Sequence, residues 1–593
     1  MKDFVKMTLA TLAGLLLFGF AAMFIGFGII GAVATLGESQ PVMPREAVLK
    51  IDMSTFVLTE QTTEANPLDM IKSGSQLPEN LGIWDAVNAI NAAATDPAVK
   101  FIYLKTDGMS GQFAHAEEFR KALTAFRTVS NKAIVAYTES PSNGGYYMAS
   151  VADKIYMTPH NGALNSFSGI SSQLIFLKDI LDRVGVNIQL IRHGKYKSAG
   201  EMFVRSSSSA ENLEQNEAMI DSMWESWAKE IAHSREMSAE KLNSLINDLK
   251  LVDSQDWFEN GLVDELLTRE QLLSQLANLY VTSSYGKVQT ISLQDYALLN
   301  KPVTTGAKSK IAVIYADGNI VDGEANNQVA GSRFARIISD VRRDTTIKAV
   351  VLRVNSPGGS VLAAEKIKAE IDLLQENVPV IASYGDYAAS GGYWISANCD
   401  KIYTNATTLT GSIGVFSIIP DFSGTLNNKL HVNVTPVNSN KHADMYNCLR
   451  PLTAAETAYM QATVENVYTR FVRIVAEGRC MTEQQVEALA QGRVWTGAEA
   501  VKKGLADEIG TIEDALQYAA FILNGNSDLS NIQIEEYPKP LTTLELLLES
   551  LGTKNPAVLA GTPFENIEAA FTTVNATETG KTYARMPYEY IIR

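Results

Sequence analysis

The sequence is poor in the residues that usually build metal centres and disulfide frameworks. Its 593 residues include six histidines and three cysteines. The cysteines, Cys399, Cys448 and Cys480, all lie in the second half and never approach CxxC spacing. The histidines form no HExxH or other paired motif. We therefore expect no zinc ribbon, no disulfide framework, no catalytic metal and no cofactor.

Positive charge is also scarce. Lys and Arg number 50 against 66 Asp and Glu, which gives a net charge of −16. A protein without a basic face cannot neutralise many phosphates, so nucleic acid is not an expected partner. GxxxxGK[ST] does not occur, and GxGxxG occurs only at Gly26–Gly31, inside an apolar run near the N-terminus and not after a predicted strand, which disfavours nucleotide binding. The remaining composition, 46% hydrophobic and 20% charged, is typical of a globular protein, and the length predicts at least two domains.

The N-terminus carries a long apolar run. No charged residue lies between Lys6 and Glu38, and Met7–Gly37 exceeds the roughly 20 residues that span a bilayer. Lys2 and Lys6 precede the run, so the positive-inside rule predicts a cytoplasmic N-terminus and a translocated remainder. The alternative is a signal peptide cleaved after Ala34. We expect an uncleaved transmembrane anchor, because the run is longer than the apolar core of such peptides.

The chain is an internal duplication. Segments of the first half recur in the second half at an offset that drifts slowly, as two homologous domains with small insertions would produce. The matched segments are Asp96–Lys105 with Asp344–Arg353, Asn143–Ser150 with Ser390–Ala397, Val186–Ile188 with Val432–Val434, and Gly261–Glu265 with Gly504–Glu508. The predicted organisation is an anchor over 1–37, a first repeat over 45–282, a linker over 283–308, a second repeat over 309–540, and a C-terminal extension over 541–593.

Each repeat alternates short β-branched runs with amphipathic stretches. Ile311–Tyr315, Ala349–Val354 and Val378–Tyr384 predict buried strands, whereas Ala363–Leu374 and Ala454–Ala476 predict helices. This alternation is typical of the α/β class, in which helices cover a mostly parallel sheet.

Two glycine-rich turns follow predicted strands of the second repeat. They are Asn355–Ser360 and Ala388–Tyr393. Glycines at a strand-to-helix turn allow backbone N–H groups to face a ligand, and the start of a helix adds partial positive charge. Such donors suit a developing oxyanion, and each is worth about 3–4 kcal/mol. A serine beside them can act as a nucleophile, although either turn alone is equally compatible with a packing role.

A nucleophilic serine needs a base. No histidine lies in the core segments of the second repeat, and His431 and His442 are interpreted as surface positions. A lysine can serve instead if burial lowers its pKa, because only the neutral amine accepts a proton.

Comparison of the repeats identifies such a pair. Ser390 of the second repeat corresponds to Asn143 of the first, and Lys197 of the first corresponds to Ala443 of the second. Each repeat therefore lacks the member that the other keeps, which predicts one site shared between them. Lys195 corresponds to another lysine, so it is the weaker candidate, although on a strand it would share the face of Lys197.

Four motifs resemble a known family. They are GKYKSA at Gly194–Ala199, NSPGGS at Asn355–Ser360, ASGGYW at Ala389–Trp394 and TGSIGVF at Thr410–Phe416. They are similar to the long, two-repeat form of the signal peptide peptidase A (protease IV) family, in the Clp-protease/crotonase superfamily. The resemblance implies a transmembrane helix followed by two tandem Clp/crotonase-like domains.

The resemblance also implies roles and partners. The implied site residues are Ser390 as nucleophile, Lys197 as general base, Ser412 as the residue that orients the lysine, and Gly358, Gly359 and Gly391 as the source of the oxyanion hole. The family implies a bowl-like homo-oligomer, commonly a tetramer, on the outer face of the cytoplasmic membrane. Its substrates there are hydrophobic peptides, the signal peptides left by signal peptidase.

Other functions compete with this interpretation. A protease that trims particular membrane or envelope proteins would act on similar apolar, extended segments, so the sequence does not separate the two. Crotonase-type acyl-CoA chemistry would need neither the anchor nor the Ser390/Lys197 pair. A membrane scaffold with a dead site would have lost one of those residues.

Overall fold

A computed structural model of the chain describes residues 41–64, 77–160, 162, 165–301, 309–542 and 581–586, with isolated positions between 6 and 18 and at 545–546. Most of the predicted anchor, the end of the predicted linker (302–308) and most of the C-terminal extension lie outside the described residues. Among the described residues, no helix is long and apolar enough to span a membrane.

The described chain alternates strands and helices. The strands are β1 (Ala47–Asp52), β2 (Phe56–Thr59), β3 (Glu79–Gly82), β4 (Val99–Lys105), β5 (Ile134–Thr138), β6 (Lys154–Met157), β7 (Asn187–His193), β8 (Glu265–Leu266), β9 (Thr290–Ser292), β10 (Lys310–Asp317), β11 (Ile320–Val321), β12 (Val329–Ala330), β13 (Ile347–Ser356), β14 (Gly358–Ser360), β15 (Val380–Ala389), β16 (Lys401–Thr404), β17 (Leu409–Gly411), β18 (Val415–Asp421), β19 (Val494–Thr496), β20 (Glu508–Ile509), β21 (Gln533–Tyr537) and β22 (Tyr583–Arg585). The α-helices are α1 (Ile83–Thr95), α2 (Phe113–Val129), α3 (Asn143–Ala149), α4 (Lys178–Val184), α5 (Glu201–Val204), α6 (Ala210–Ser234), α7 (Ala239–Asn247), α8 (Ser254–Glu259), α9 (Arg269–Tyr280), α10 (Leu293–Leu299), α11 (Gly331–Arg343), α12 (Val361–Gln375), α13 (Gly391–Ser396), α14 (Ala454–Gly478), α15 (Glu483–Leu489), α16 (Gly497–Lys502) and α17 (Ile512–Asn524).

Each repeat forms its own mostly parallel sheet. In the first repeat the strand order is β8-β6-β5-β4-β1-β9, and all pairs are parallel. In the second it is β19-β17-β15-β13-β10-β21, with β16 also paired to β15 and β20 paired to β16, and only β17–β19 is antiparallel. The central strands are buried along their length, which explains why they appear in the sequence as continuous apolar runs. The predicted α/β class is confirmed.

Part of the predicted linker belongs to the first sheet. Strand β9 lies within 283–308 and pairs in parallel with β1, just as β21 pairs with β10 in the second repeat. Helix α10 follows it and buries Leu293 and Tyr296 in the core. The two repeats therefore extend to equivalent edge strands.

A third sheet joins the repeats, in the order β12-β11-β14-β22-β18-β7. Strand β7 of the first repeat runs antiparallel to β18 of the second over seven residue pairs. Strand β22 comes from the C-terminal extension and lies between β14 and β18. Since β7 precedes the GKYKSA turn and β14 belongs to the NSPGGS turn, this sheet carries motifs of both repeats to one place.

A buried ionic cluster also joins the repeats. Arg353 of the second repeat contacts Glu60 (Nε–Oε2, 2.6 Å) and Glu118 (Nη2–Oε1, 2.7 Å) of the first. His115 Nε2 lies 2.9 Å from the second oxygen of Glu60. Burial alone would raise the pKa of Glu60, but Arg353 and His115 hold it at about 2. The charges are thus paired within the interface, as buried charges must be.

Candidate active site

Ser390 occupies a strained turn between β15 and α13. Its φ of 55° and ψ of −110° are unusual for a residue with a side chain. The turn is held at both ends, because the Ser390 N–H donates to the Gly411 carbonyl (2.8 Å) and the Trp394 N–H donates to the Ser390 carbonyl (2.8 Å). A methyl group on Gly392 would stand 2.6 Å from the Ser356 carbonyl oxygen, so α13 packs this close to β13 only because residue 392 has no side chain. The ASGGYW motif therefore fixes the serine at the end of a buried strand.

Lys197 reaches the same point from the first repeat. The GKYKSA turn begins where β7 ends, and the Tyr196 N–H donates to the Gln491 carbonyl (2.9 Å) of the second repeat. A methyl group on Gly492 would stand 2.6 Å from Lys197 Cβ, so the two backbones pass each other because residue 492 has no side chain.

The structure brings the three predicted side chains together. Lys197 Nζ lies 2.7 Å from Ser390 Oγ, 2.9 Å from Ser412 Oγ and 3.1 Å from the Ser412 carbonyl oxygen. All three residues are 0% exposed to solvent. One buried amine thus bridges a serine of the strained turn and a serine of the TGSIG motif.

Burial lowers the pKa of Lys197 well below its ordinary value of 10.5. A neutral amine has two N–H donors and one lone pair, which matches the three contacts of Nζ. Its N–H groups can donate to the carbonyl and hydroxyl oxygens of Ser412, while Ser390 O–H donates to the lone pair. This arrangement allows the amine to take the serine proton.

Lys195 lies apart from this contact. Its side chain is exposed, and its ammonium lies 4.9 Å from the centroid of the Tyr196 ring. Strand β7 ends at His193, so Lys195 and Lys197 lie in a turn and do not share a strand face. The comparison of repeats had favoured the buried lysine of the two.

The glycine turn of NSPGGS lies against the start of α13. Gly358 and Gly359 have φ values of 98° and 156°. A methyl group on Gly391 would stand 3.1 Å from both the Gly358 Cα and the Gly359 nitrogen. Gly391 is the first residue of α13, so its N–H has no acceptor within the helix, whereas the Gly358 N–H donates to Ser356 Oγ (3.2 Å). The N–H groups of Gly359 and Gly391 are therefore the better-placed pair of donors.

A carbonyl group already lies at these donors. Ala584 of β22 pairs with Gly359, and its oxygen would stand 3.1 Å from a methyl group on Gly391. The sequence analysis had described residues 541–593 only as a C-terminal extension and had not placed them at the site. A three-residue strand has no periodicity by which it could have been found.

In the first repeat the position equivalent to Ser390 is Asn143, whose side chain is engaged in hydrogen bonds to the backbone. Asn143 Oδ1 accepts hydrogen bonds from the N–H groups of Ser168 and Gly169 (3.0 Å each), and its Nδ2 donates to the Gly169 carbonyl (2.9 Å). The side chain that replaces the serine thus holds a loop.

Among the described residues, Lys197 Nζ bonds to no cysteine or histidine. Cys399 is buried, and burial raises the pKa of its thiol, which disfavours the thiolate. His442 bonds to Glu456 on the surface of the second repeat. Within the described ranges no group of three His, Cys, Asp or Glu side chains could hold a metal ion.

Comparison with known proteins agrees with the duplicated sequence. The sequence pattern of peptidase family S49 matches residues 127–282 and 372–524. The chain is 32% identical to "Protease 4" of Haemophilus influenzae, covering 85% of this chain and 84% of that protein. It is 34% identical to "Protease 4" of Salmonella typhi, covering 82% and 78%. It is 30% identical to "Serine protease SPPA, chloroplastic" of Arabidopsis thaliana, covering 78% and 68%. The chain belongs to peptidase family S49 and is a serine peptidase with two S49 repeats.

Proposed function

We propose that this protein is a membrane-anchored endopeptidase that hydrolyses apolar, extended peptides, chiefly the signal peptides left after protein export, with Ser390 and Lys197 as its catalytic dyad. The observation that carries the proposal is the 2.7 Å contact between Lys197 Nζ and Ser390 Oγ in a fully buried site. A buried, neutral lysine beside a serine on a strained turn supplies both a base and a nucleophile.

In the first step the Lys197 amine takes the proton of Ser390 while Oγ attacks the carbonyl carbon of the substrate. The N–H groups of Gly359 and Gly391 stabilise the oxyanion, and each such donor is worth about 3–4 kcal/mol. The Lys197 ammonium then gives its proton to the leaving amine, and the C–N bond breaks. Ser412 has no part in bond making; its two oxygens hold the amine toward Ser390.

The second step reverses these roles. Water attacks the acyl-enzyme carbonyl, and neutral Lys197 takes the proton of the water. When the ester bond breaks, Ser390 recovers its proton and the carboxylic acid product leaves. The step needs no cofactor.

The third sheet and the relatives support the substrate class. A peptide that took the place of β22 between β14 and β18 would be extended, because its main chain would form the ladder. The name "Putative signal peptide peptidase SppA" for a relative in Enterococcus faecium supports signal peptides as the substrates. The apolar segment Met7–Gly37 would keep the enzyme at the outer face of the cytoplasmic membrane, where such peptides remain.

A ring of copies completes the proposal. Within one chain β7 pairs with β18, but the equivalents of these strands, residues 433–439 and 169–175, form no strand. Val437 is 95% exposed, and Leu174 and Ile175 are partly exposed. Pairing of 433–439 in one copy with 169–175 in the next would repeat the internal contact head to tail, which produces a ring when the rotation between copies closes. The family resemblance implies four copies.

The competing function, trimming of particular envelope proteins, uses the same site. The experiment that separates them compares membranes from cells that express the wild type or Ser390→Ala. Accumulation of many signal-peptide fragments with the inactive enzyme is the expected result. A change confined to the termini of a few mature proteins would favour the trimming protease.

A further inference from the structure

The third sheet contains a strand that neither repeat supplies. Without β22, strands β14 and β18 would lie on either side of a gap one strand wide. We propose that the C-terminal segment Lys581–Met586 is an intramolecular pseudosubstrate that fills this cleft in the register of a peptide to be cut, with Ala584 in the position of the residue whose carbonyl is attacked. This inference rests on the proposed function, because it assigns the segment to the same Ser390/Lys197 site.

The register is fixed by hydrogen bonds at both ends of the pairing. Strand β22 runs antiparallel to β14 with Gly359 opposite Ala584. The Met586 N–H donates to the Pro357 carbonyl (2.7 Å), and the Val361 N–H donates to the Thr582 carbonyl (3.3 Å). Hydrogen-bonded pairs of an antiparallel ladder recur at every second residue, so Gly359 and Ala584 form the pair between these two. The Ala584 carbonyl therefore faces the Gly359 N–H.

The same carbonyl reaches the second donor. The Ala584 oxygen would collide with any side chain at Gly358 and would stand 3.1 Å from one at Gly391. The oxygen thus lies where the NSPGGS turn meets the start of α13, at the point assigned to the oxyanion. An edge strand added only to complete the sheet would have no need of a carbonyl at this position.

Side chains anchor the segment on both sides. The Lys581 ammonium lies 2.7 Å from Asp322 Oδ2, and the Ser417 hydroxyl donates to the Lys581 carbonyl (2.8 Å). The Tyr583 ring packs beside Phe416, with the ring centroids 6.1 Å apart.

The small side chain of Ala584 is fully buried and belongs to the core of the second repeat. The cleft therefore accommodates an extended main chain with a small side chain on the residue whose carbonyl is attacked. Because the segment is tethered, its effective concentration at the cleft is on the order of millimolar, and a substrate must displace it.

Two inactive chains test the competition directly. Both carry Ser390→Ala; one ends after Met586 and keeps the strand, and the other ends after Gly580 and lacks it. The probe is the fluorescein-labelled, amidated hexapeptide with the sequence of Lys581–Met586, and anisotropy measures its Kd. We expect the chain that ends after Gly580 to bind the probe at least tenfold more tightly than the matched chain. A probe with Trp at the Ala584 position should bind the shorter chain at least tenfold more weakly.

Equal affinity of the two chains for the probe, or equal affinity of the Ala and Trp probes, would overturn the proposal. The readout does not depend on catalysis, so it stays valid if Ser390 is not the nucleophile. In contrast, failure of the proposed function would appear as unchanged activity in Ser390→Ala with the strand in place. A full-length chain with Ala584→Trp guards against misfolding of the truncated one, because it should also bind the Ala probe more tightly than the Met586-ended chain.

Discussion

Arg353 of the second repeat is bound by Glu60 of the first at 2.6 Å, and both side chains are withdrawn from solvent. Removing one partner leaves the other buried and unpaired, which costs about 3–5 kcal/mol. We therefore predict that Arg353→Ala lowers the free energy of unfolding by roughly that amount. Denaturant unfolding measures it, with Arg343→Ala on the surface as the control. A loss no larger than that of the control would contradict the role of the cluster in joining the repeats.

The same pair predicts a dependence of stability on pH. Arg353 and His115 lower the pKa of Glu60 from 4.5 to about 2 despite its burial. Folding therefore stabilises the ionised form of Glu60. This contribution to the free energy of unfolding is present above pH 4.5 and is lost as pH falls toward 2. The difference in stability between the wild type and Glu60→Gln should shrink over this range. A difference that stays constant between pH 5 and pH 3 would show that the pair does not titrate in this way.

The third prediction concerns which lysine is the base. Lys197→Ala should abolish activity on an apolar peptide ester as fully as Ser390→Ala does, and the double variant should be no worse, because nucleophile and base fail as a unit. Lys195→Ala is the matched control and should keep most of the activity, since its side chain is exposed. If Lys195→Ala were inactive and Lys197→Ala active, the base would be Lys195.

The pH profile gives a second measure of the same lysine. Burial lowers the pKa of Lys197 from 10.5, and only the neutral amine accepts the serine proton. The rate of the wild type should therefore rise with pH through this lowered pKa, and Lys197→Ala should lose that limb of the profile. A limb that persists in the variant would belong to another group.

Much of the site was predictable because the chain contains its own comparison. Ser390 and Lys197 stand where the other repeat has Asn143 and Ala443, so each replacement identified its counterpart as a candidate site residue. Strands β13 and β15 were predictable because burial on both faces makes them long apolar runs.

Short elements could not be found in that way. The three residues of β9 and of β22 have no periodicity, and each becomes a strand only because a partner distant in the chain supplies the ladder. Their pairing depends on tertiary context, which outweighs local preference in strands.

Ser412 tests whether positioning alone matters. Its hydroxyl lies 2.9 Å from Lys197 Nζ, and its carbonyl, which any residue would keep, lies at 3.1 Å. Ser412→Ala removes one of two acceptors for the amine, a loss of about 1–3 kcal/mol, so kcat should fall roughly ten- to hundredfold while KM stays the same. Because the hydroxyl acts through the lysine, the limb on which the rate rises with pH should move as well, which a general loss of stability would not cause. Ser417→Ala is the matched control, since its hydroxyl bonds to the Lys581 carbonyl on the same sheet and does not contact Lys197. The Ser417→Ala substitution should change KM and leave kcat as in the wild type.

A Ser412→Ala enzyme with unchanged kcat would show that the buried amine keeps its position without that hydroxyl, and that packing around Lys197 orients the base.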